Sequence, residues 1–343
     1  MGKAAPEVLR RAFFQLRNGR PGPVMLEVPL DVMNEEVPDN WKYVPSFSAK
    51  SAPAPDDVAS AAKALASAER PVIYAGQGVH YAKAWDELKA LAETWNIPVT
   101  TSIEGKSAFP ENHPLSLGSG GRANSRQVKQ YLNDADVIFG VGVSFALTAF
   151  GVPMPANKDG SKTLIHATLD PMDLNKDVPV QHGLIGDAKL TLQALSAEME
   201  SYSKAPAEQR AGEPEKIAAI RTQWHNEWLP KLTSNDTPIN PYRVIAELDR
   251  LVDKDNVVIT HDAGSPRDQT TPFWESTAPL SYIGWGKTTQ LGYGLGLAMG
   301  AKLAAPEKLC INVWGDAAIG FTGMDFETAV RENIPILSIL FNN

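Results

Sequence analysis

The stretch LCINVWGDA, residues 309–317, is an apolar run that ends in Gly315-Asp316-Ala317. A second apolar run, residues 336–341, ends in Asn342-Asn343 after a helical pattern. A strand, helix, strand unit of this kind is parallel and right-handed, so both polar ends lie at the carboxyl edge of neighbouring strands, where α/β sheets bind ligands. The pattern therefore predicts a parallel sheet in which Asp316 and Asn343 converge at one edge.

Asp316 and Asn343 together carry oxygen atoms of the kind that a magnesium ion prefers. Mg²⁺ takes a near-octahedral oxygen shell, usually one or two protein carboxylates with phosphate and water. Gly315 would let the backbone approach a diphosphate, and Thr322, three residues before Asp325, is predicted to cap the next helix. Taken separately, Asp316 fits an ordinary turn and the asparagines fit a loop. Their spacing and predicted structure favour a site for an anionic ligand held through a metal.

This constellation resembles the signature of thiamine diphosphate-dependent enzymes, in which Gly-Asp-Gly is followed, one crossover later, by Asn-Asn. Here the 24 residues 318–341 separate the two pieces. Ala317 stands where many members have glycine, and alanine also occurs there in acetolactate synthases. The resemblance implies that Asp316 and Asn343 bind Mg²⁺. It also implies cofactor contacts at Gly315, Asp316, Ala317, Ala318 and Asn343.

Two further segments extend the resemblance to acetolactate synthases. Residues 290–296 resemble the glycine-rich helix start at which the family places an apolar side chain beneath the thiazolium ring. This implies that role for Leu291 and a cofactor contact for Gly292, with close helix packing as the alternative for the glycines. After a predicted strand at residues 257–260, the resemblance implies cofactor contacts at Ala263 and Gly264. Acetolactate synthases continue with Gln-His where this chain has Ser265-Pro266, which leaves the substrate open.

The first part of the chain resembles the close of the pyrimidine-binding domain of acetolactate synthases. The resemblance rests on Arg11-Ala12-Phe13 and on residues 19–32. Apolar spacing predicts a helix at residues 6–18 and a strand at residues 24–28. Both ends of the chain are expected to be truncated. In the family a glutamate of this domain activates the cofactor across a subunit interface, which places the expected catalytic glutamate before Met1 and implies that the chain alone is inactive.

Composition and periodicity divide the chain into four parts. Residues 1–45 are expected to end a pyrimidine-binding domain, 53–200 to form a central α/β domain, 201–237 to form a linker with a helix, and 238–343 to form an incomplete diphosphate-binding domain. Alternating strands and helices predict the α/β class, with parallel sheets flanked by helices. The resemblance implies the thiamine diphosphate-binding fold in a three-domain arrangement. The strands are predicted at 72–75, 99–102, 137–141, 163–169, 257–260, 310–314 and 336–341, and the helices at 56–68, 82–95, 125–133, 216–229, 241–251, 291–303 and 324–332.

Composition excludes several classes of protein. The 343 residues carry a net charge of -8 and 43% hydrophobic residues, which argues against a nucleic-acid or anionic membrane surface and favours a multidomain globular protein. No stretch reaches the roughly 18 apolar residues that a membrane helix needs. Cys310 is the only cysteine, so an intrachain disulfide is excluded and an intracellular, cytoplasmic setting is expected.

Gly76-Gln77-Gly78 follows a predicted strand in the manner of a dinucleotide-binding turn. The third glycine of that fingerprint is missing because residue 81 is Tyr. The central domain binds FAD in some members of the family, but residues 142–145 lack the arginine of flavin-binding acetolactate synthases, so FAD is left open and not favoured. None of the six histidines is paired at a spacing of four residues, as a metal site on a helix would require. His261 is the one predicted at a strand end, where α/β sheets face their ligands.

The sequence is expected to support decarboxylation and carboligation of a 2-oxoacid such as pyruvate, with thiamine diphosphate and Mg²⁺, in a homodimer or homotetramer. Another 2-oxoacid decarboxylase or a 2-hydroxyacyl-CoA lyase is the alternative among enzymes. A non-catalytic homologue that binds cofactor or a partner subunit is the alternative outside them. A nicotinamide dehydrogenase would rest on Gly76 and Gly78 alone.

Overall fold

The computed structural model describes residues 2–37, 39–148, 161–286 and 290–342. These residues form two parallel sheets, one of six strands and one of four. The predicted α/β class, with parallel sheets flanked by helices, is confirmed.

The six-stranded sheet belongs to the central part of the chain and has the order β3-β2-β1-β4-β5-β6. All residues of β1 and β4 are buried, as expected for central strands of a sheet covered by helices on both faces. The strands are β1 Pro71–Ala75, β2 Val99–Thr101, β3 Ser116–Ser119, β4 Val137–Val141, β5 Thr163–Thr168 and β6 His182–Ile185.

The four-stranded sheet follows in the last part of the chain, with the order β10-β9-β7-β8. Its neighbouring strands all pair in parallel, so their carboxyl ends share one edge. The strands are β7 Val257–His261, β8 Tyr282–Ile283, β9 Leu309–Gly315 and β10 Leu337–Phe341.

Helices precede, connect and cover these strands. The α-helices are α1 Ala5–Arg17, α2 Leu30–Met33, α3 Pro55–Ser67, α4 Gln77–Ala82, α5 Trp85–Trp95, α6 Arg126–Asp134, α7 Ala188–Met199, α8 Ala205–Gln209, α9 Glu213–Leu232, α10 Pro241–Leu251, α11 Ser265–Phe273, α12 Tyr293–Ala304, α13 Asp316–Thr322 and α14 Phe326–Arg331.

The strand predicted at residues 24–28 is wrong. No regular element covers these residues, and the side chains of Met25 and Val28 are 88% and 55% exposed. A strand needs a hydrogen-bonded neighbour, and the described residues supply none for this segment. An apolar, β-prone composition was therefore an insufficient signal here.

The helix predicted at residues 82–95 begins at Trp85, as α5, and Ala82 instead ends the separate helix α4. Lys83 has a φ of 51°, in the left-handed region, and its backbone N–H donates to the carbonyl of His80 at 3.1 Å. A left-handed residue of this kind closes a helix, so α4 ends at Ala82 and does not continue into α5.

A buried ion pair joins the two halves of the structure. Lys106 and Glu111, on the segment between β2 and β3, pair with each other and are 1% and 7% exposed. Lys106 Nζ also donates to the carbonyl of Thr271 in α11 at 3.1 Å, and Glu111 accepts from the backbone N–H of Ser276 at 2.8 Å. The central part of the chain is therefore anchored to the segment that carries the second sheet.

Candidate functional site

The carboxyl edge of the second sheet is organised by the buried carboxylate of Asp262, which directly follows β7. Its Oδ1 accepts from the backbone N–H groups of Ala263 at 2.9 Å and Gly292 at 3.0 Å, and its Oδ2 accepts from that of Gly294 at 3.0 Å. Asp262 is 0% exposed. Three backbone donors therefore offset the free energy that is lost when this carboxylate is removed from water. They also fix the start of α12 to the end of β7.

The glycine-rich turn at the start of α12 requires glycine at two positions. Gly292 has a φ of 90°, which side chains disfavour, and a Cβ at Gly294 would lie 2.5 Å from Asn312 Oδ1. The Thr322 hydroxyl donates to the Gly292 carbonyl at 2.7 Å. The capping box predicted from Thr322 is therefore wrong, because that hydroxyl fastens the turn and Asp325 makes no side-chain cap for α14.

Leu291 stands at the beginning of this turn and is half-buried. It packs against the small apolar cluster of Leu295, Trp314 and Ala318. Ala318 is 1% exposed and belongs to this core, whereas Ala317 is exposed. The position of the Leu291 side chain is therefore fixed by this cluster.

Gly264 and Gly315 leave open space at the same sheet edge. Gly264, with a φ of 82°, precedes α11, and Gly315 precedes α13. A Cβ at Gly264 would meet no atom within 4 Å, and one at Gly315 would meet only the Pro266 ring at 3.9 Å. Ala263 between β7 and Gly264 is 4% exposed. The open cradle at the two glycines, at helix starts, fits the approach of a diphosphate group.

Asp316 is exposed and begins α13, with no hydrogen-bond or ion-pair partner in the described ranges. The register pairs Phe341 with Gly315, so Asn342 and Asp316 each follow one member of that pair. The two strand ends therefore lie side by side, while the predicted convergence of Asp316 with Asn343 stays a prediction. Asn343 itself lies outside the described residues. Over those residues, no group of three or more His, Cys, Asp or Glu side chains could hold a metal, so a cation here would need oxygens from its ligand as well as Asp316.

His261 lies beneath this edge and not on it. Its ring is 0% exposed, and burial lowers the pKa of the imidazole to about 4. Nδ1 lies 3.1 Å from the Asp262 carbonyl and 3.2 Å from the Tyr293 hydroxyl, while Nε2 has no hydrogen-bond partner among the described residues. A neutral imidazole so placed can orient its neighbours but cannot reach a ligand at the surface.

Sequence reasoning missed the part that Asp262 and Asn312 take in building the edge. Asn312 is 0% exposed within β9, and its Oδ1 lies 3.2 Å from the Thr260 hydroxyl, which donates to it. Polar side chains inside an apolar strand, or directly after one, were the available signal. Most buried polar groups are hydrogen-bonded, so a polar residue at such a position indicates a specific contact.

Gly76 and Gly78 are explained by packing inside the central sheet. A Cβ at either glycine would lie within 3 Å of the backbone of Gly142, at 2.3 Å and 2.6 Å. The backbone N–H of Gly76 donates to Val141 and that of Gly78 to Gly142, at 2.9 and 2.8 Å. These two donors are therefore not free for a dinucleotide phosphate, which removes the support for a nicotinamide enzyme.

None of the helices over the described residues is long and apolar enough to cross a membrane.

Comparison with known proteins agrees with this geometry. Residues 58–195 match the thiamine pyrophosphate enzyme central domain, and residues 262–343 match the C-terminal TPP binding domain of the same enzymes. The second match contains the whole edge described above, from Asp262 onward.

Several curated relatives are acetolactate synthase subunits. A probable acetolactate synthase large subunit of Methanocaldococcus jannaschii is 31% identical over 98% of this chain and 58% of its own length. That of Methanococcus aeolicus is 30% identical over 98% of this chain and 58% of its own length. The isozyme 3 large subunit of Escherichia coli (strain K12) is 30% identical over 98% of this chain and 59% of its own length. The chain thus spans less than two thirds of these relatives, and it belongs to the thiamine pyrophosphate enzyme family.

Proposed function

We propose that this chain supplies the central and cofactor-binding parts of an enzyme that decarboxylates a 2-oxoacid and joins the product to a second carbonyl compound, with thiamine diphosphate and Mg²⁺. The observation that carries the proposal is the shared edge of β7 and β9. At that edge lie the open glycines Gly264 and Gly315, the exposed carboxylate of Asp316 and the Leu291 side chain, which packs against Trp314 and Ala318.

Each residue type at this edge has a definite task in the proposal. Asp316 provides a hard carboxylate oxygen for Mg²⁺, and Asn343 provides an amide oxygen. Gly264 and Gly315 make room for the diphosphate, while Leu291 supports the thiazolium ring. Bound thiamine diphosphate would supply the electron sink that loss of CO₂ requires.

The proposal includes a second subunit. A pyrimidine-binding domain of a homodimer or homotetramer completes the site and contributes the activating glutamate. The exposed apolar side chains on the segment 24–47, such as Met25 and Phe47 at 88% and 80% exposure, support a covered surface on this part of the chain.

Pyruvate is the proposed model substrate because the curated relatives are acetolactate synthases. One observation favours a different substrate within the same chemistry. Ser265-Pro266 opens α11 where acetolactate synthases have Gln-His, and the following Arg267 is buried, 1% exposed. Another 2-oxoacid decarboxylase or a 2-hydroxyacyl-CoA lyase is therefore the second candidate.

The proposal is tested with the complete protein, thiamine diphosphate, Mg²⁺ and ¹³C-labelled pyruvate, with the products followed by NMR. Labelled acetolactate and CO₂ are the expected result. Labelled acetaldehyde without acetolactate would favour the decarboxylase. Unchanged pyruvate and unchanged longer 2-oxoacids, in a protein that has bound the cofactor, would contradict the proposed reaction.

A separate titration with FAD tests whether the central part of the chain binds a flavin, independently of the reaction. Because Gly76 and Gly78 use their N–H groups within the protein, we expect no phosphate contact from them. Submicromolar FAD binding that is weakened by Gly78→Ala would contradict that expectation, provided that the variant keeps its far-UV circular dichroism.

A further inference from the structure

Trp285 lines a cavity at the carboxyl end of the central sheet and packs on the residue that begins α12. The cavity has a volume of about 660 Å³ and is lined by the carboxyl ends of the central strands, by Ser102 and Glu104, and by Gly284 and Trp285 from the second half. The indole is 47% exposed. One face of a large aromatic side chain is therefore open to whatever enters this cavity.

The other face of Trp285 is fixed. It stacks on the ring of Tyr293, with ring centroids 4.8 Å apart and an interplanar angle of 8°. Tyr293 is the first residue of α12, two positions after Leu291. The position of the indole is thus tied to the turn that carries the cofactor support.

His261 holds this pair from below. The Tyr293 hydroxyl lies 3.2 Å from His261 Nδ1, and the imidazole contacts the rings of Tyr282 and Tyr293, with centroid distances of 5.2 and 6.1 Å. A Cβ at Gly284, the residue before Trp285, would lie 1.8 Å from His261 Nε2. The end of β7 therefore sets the path of the backbone into Trp285.

Glu104 is the carboxylate that lies next to Trp285 in this cavity. The carboxyl carbon of Glu104 would lie 2.6 Å from a Cβ at Gly286, which places the carboxylate against the same short loop. Within the described ranges, Glu104 has no hydrogen-bond or ion-pair partner. An uncharged planar group that enters the cavity would gain contact with the open indole face.

We propose that Trp285 is a specificity-determining residue, which stacks on the side group of an aromatic 2-oxoacid, and that Tyr293 and His261 are positioning residues for it. This inference rests on the proposed function, since it names the substrate class of that site. Stacking on an aromatic ring contributes about 0.5–1.5 kcal/mol beyond area burial. Such a contribution corresponds to a preference of roughly 2- to 13-fold for the aromatic substrate.

The test compares phenylpyruvate with 2-oxobutyrate in the holoenzyme, by initial rates of CO₂ release. Trp285→Ala should lower the ratio of kcat/KM for phenylpyruvate over 2-oxobutyrate by about 2- to 13-fold, mainly through KM, because the contact binds the side group. Trp285→Phe keeps an aromatic face and should retain most of the ratio. Tyr293→Phe keeps the stacking ring without its hydroxyl and should give an intermediate ratio. Equal losses for both substrates in Trp285→Ala would overturn the proposal.

A binding measurement separates this inference from the proposed reaction. The non-reacting acid 3-phenylpropanoate is titrated by calorimetry into wild type and Trp285→Ala, with butanoate as the matched aliphatic probe. The proposal predicts weaker binding of the aromatic acid alone. Unaltered binding of 3-phenylpropanoate would overturn it. If the protein failed to bind thiamine diphosphate, the proposed function would fall, and this titration would still decide whether Trp285 recognises aromatic acids.

Discussion

Asp262→Asn is expected to loosen the glycine-rich turn that supports the cofactor. The substitution keeps the size of the side chain but replaces one carboxylate oxygen by an NH₂ group. In the native fold the two oxygens accept from the backbone N–H groups of Ala263, Gly292 and Gly294 at 2.9–3.1 Å. At least one of these donors would then face another donor in a site with 0% exposure.

The expected loss follows from the hydrogen bonds concerned. A hydrogen bond to a charged group contributes about 1.5–3 kcal/mol, and an unsatisfied buried N–H costs about 1–3 kcal/mol. With the remaining amide oxygen still accepting, the free energy of unfolding should fall by about 2–4 kcal/mol. Asp316→Asn is the matched control, because Asp316 is exposed at the end of β9, and its change should stay within about 0.5 kcal/mol.

Urea unfolding at pH 7, followed by far-UV circular dichroism, measures both variants. Hydrogen exchange of the Gly292 and Gly294 amides locates the effect, and these amides should exchange faster in Asp262→Asn alone. If Asp262→Asn were as stable as Asp316→Asn and kept those amides protected, the carboxylate would not be organising the turn.

Three other buried contacts give predictions of the same kind. Burial lowers the pKa of His261 to about 4 from 6.5, so the unfolded state binds more protons between these values. The free energy of unfolding should therefore be highest above pH 6.5 and should fall by about 3 kcal/mol as the pH is lowered toward 4. Urea unfolding across this range should show a shallower pH dependence in His261→Gln. The same pH dependence in wild type and variant would contradict the assignment. Glu111→Ala should lower the free energy of unfolding by about 3–5 kcal/mol, because it leaves Lys106 buried without its partner. Thermal unfolding measures this loss, and a loss below about 1 kcal/mol would contradict the prediction. Gly284→Ala should lower the free energy of unfolding by about 1–3 kcal/mol, since its Cβ would lie 1.8 Å from His261. Gly296→Ala, whose Cβ would meet no atom within 4 Å, should be neutral or stabilising when both variants are unfolded in a calorimeter. Equal losses in the two variants would refute the packing argument.

The regular strands were predictable because parallel sheets bury both faces. β4 occupies the predicted residues 137–141, and β7 and β9 each differ by one or two residues from the apolar runs that indicated them. The short polar strand β3, Ser116–Ser119, carries no apolar run and was missed for that reason. Helix α11 was missed because Ser, Thr and Pro, which are poor helix formers, make up much of Ser265–Phe273. In the structure the hydroxyls of Thr270 and Thr271 donate to backbone carbonyls of the same helix.

The candidate site was predictable where the chain itself brings residues to a strand end. Gly315 and Asp316 lie at the predicted edge, next to the end of β10. The tie from Asp262 to Gly292 and Gly294 was not predictable, since 30 or more residues separate these positions and a single carboxylate gives no spacing pattern. The stack of Trp285 on Tyr293 depends on the path of an irregular loop, for which periodicity gives no information.

The central claim is that the edge of β7 and β9 binds thiamine diphosphate through Mg²⁺ and Asp316. It is tested most directly by calorimetric titration of thiamine diphosphate into the complete protein, with Mg²⁺ and with excess chelator, for wild type, Asp316→Ala and the control Asp325→Ala, an exposed carboxylate in the same crossover. The account predicts Mg²⁺-dependent binding to wild type and Asp325→Ala and none to the folded Asp316→Ala. Equal binding by all three proteins, or binding that does not depend on Mg²⁺, would contradict it.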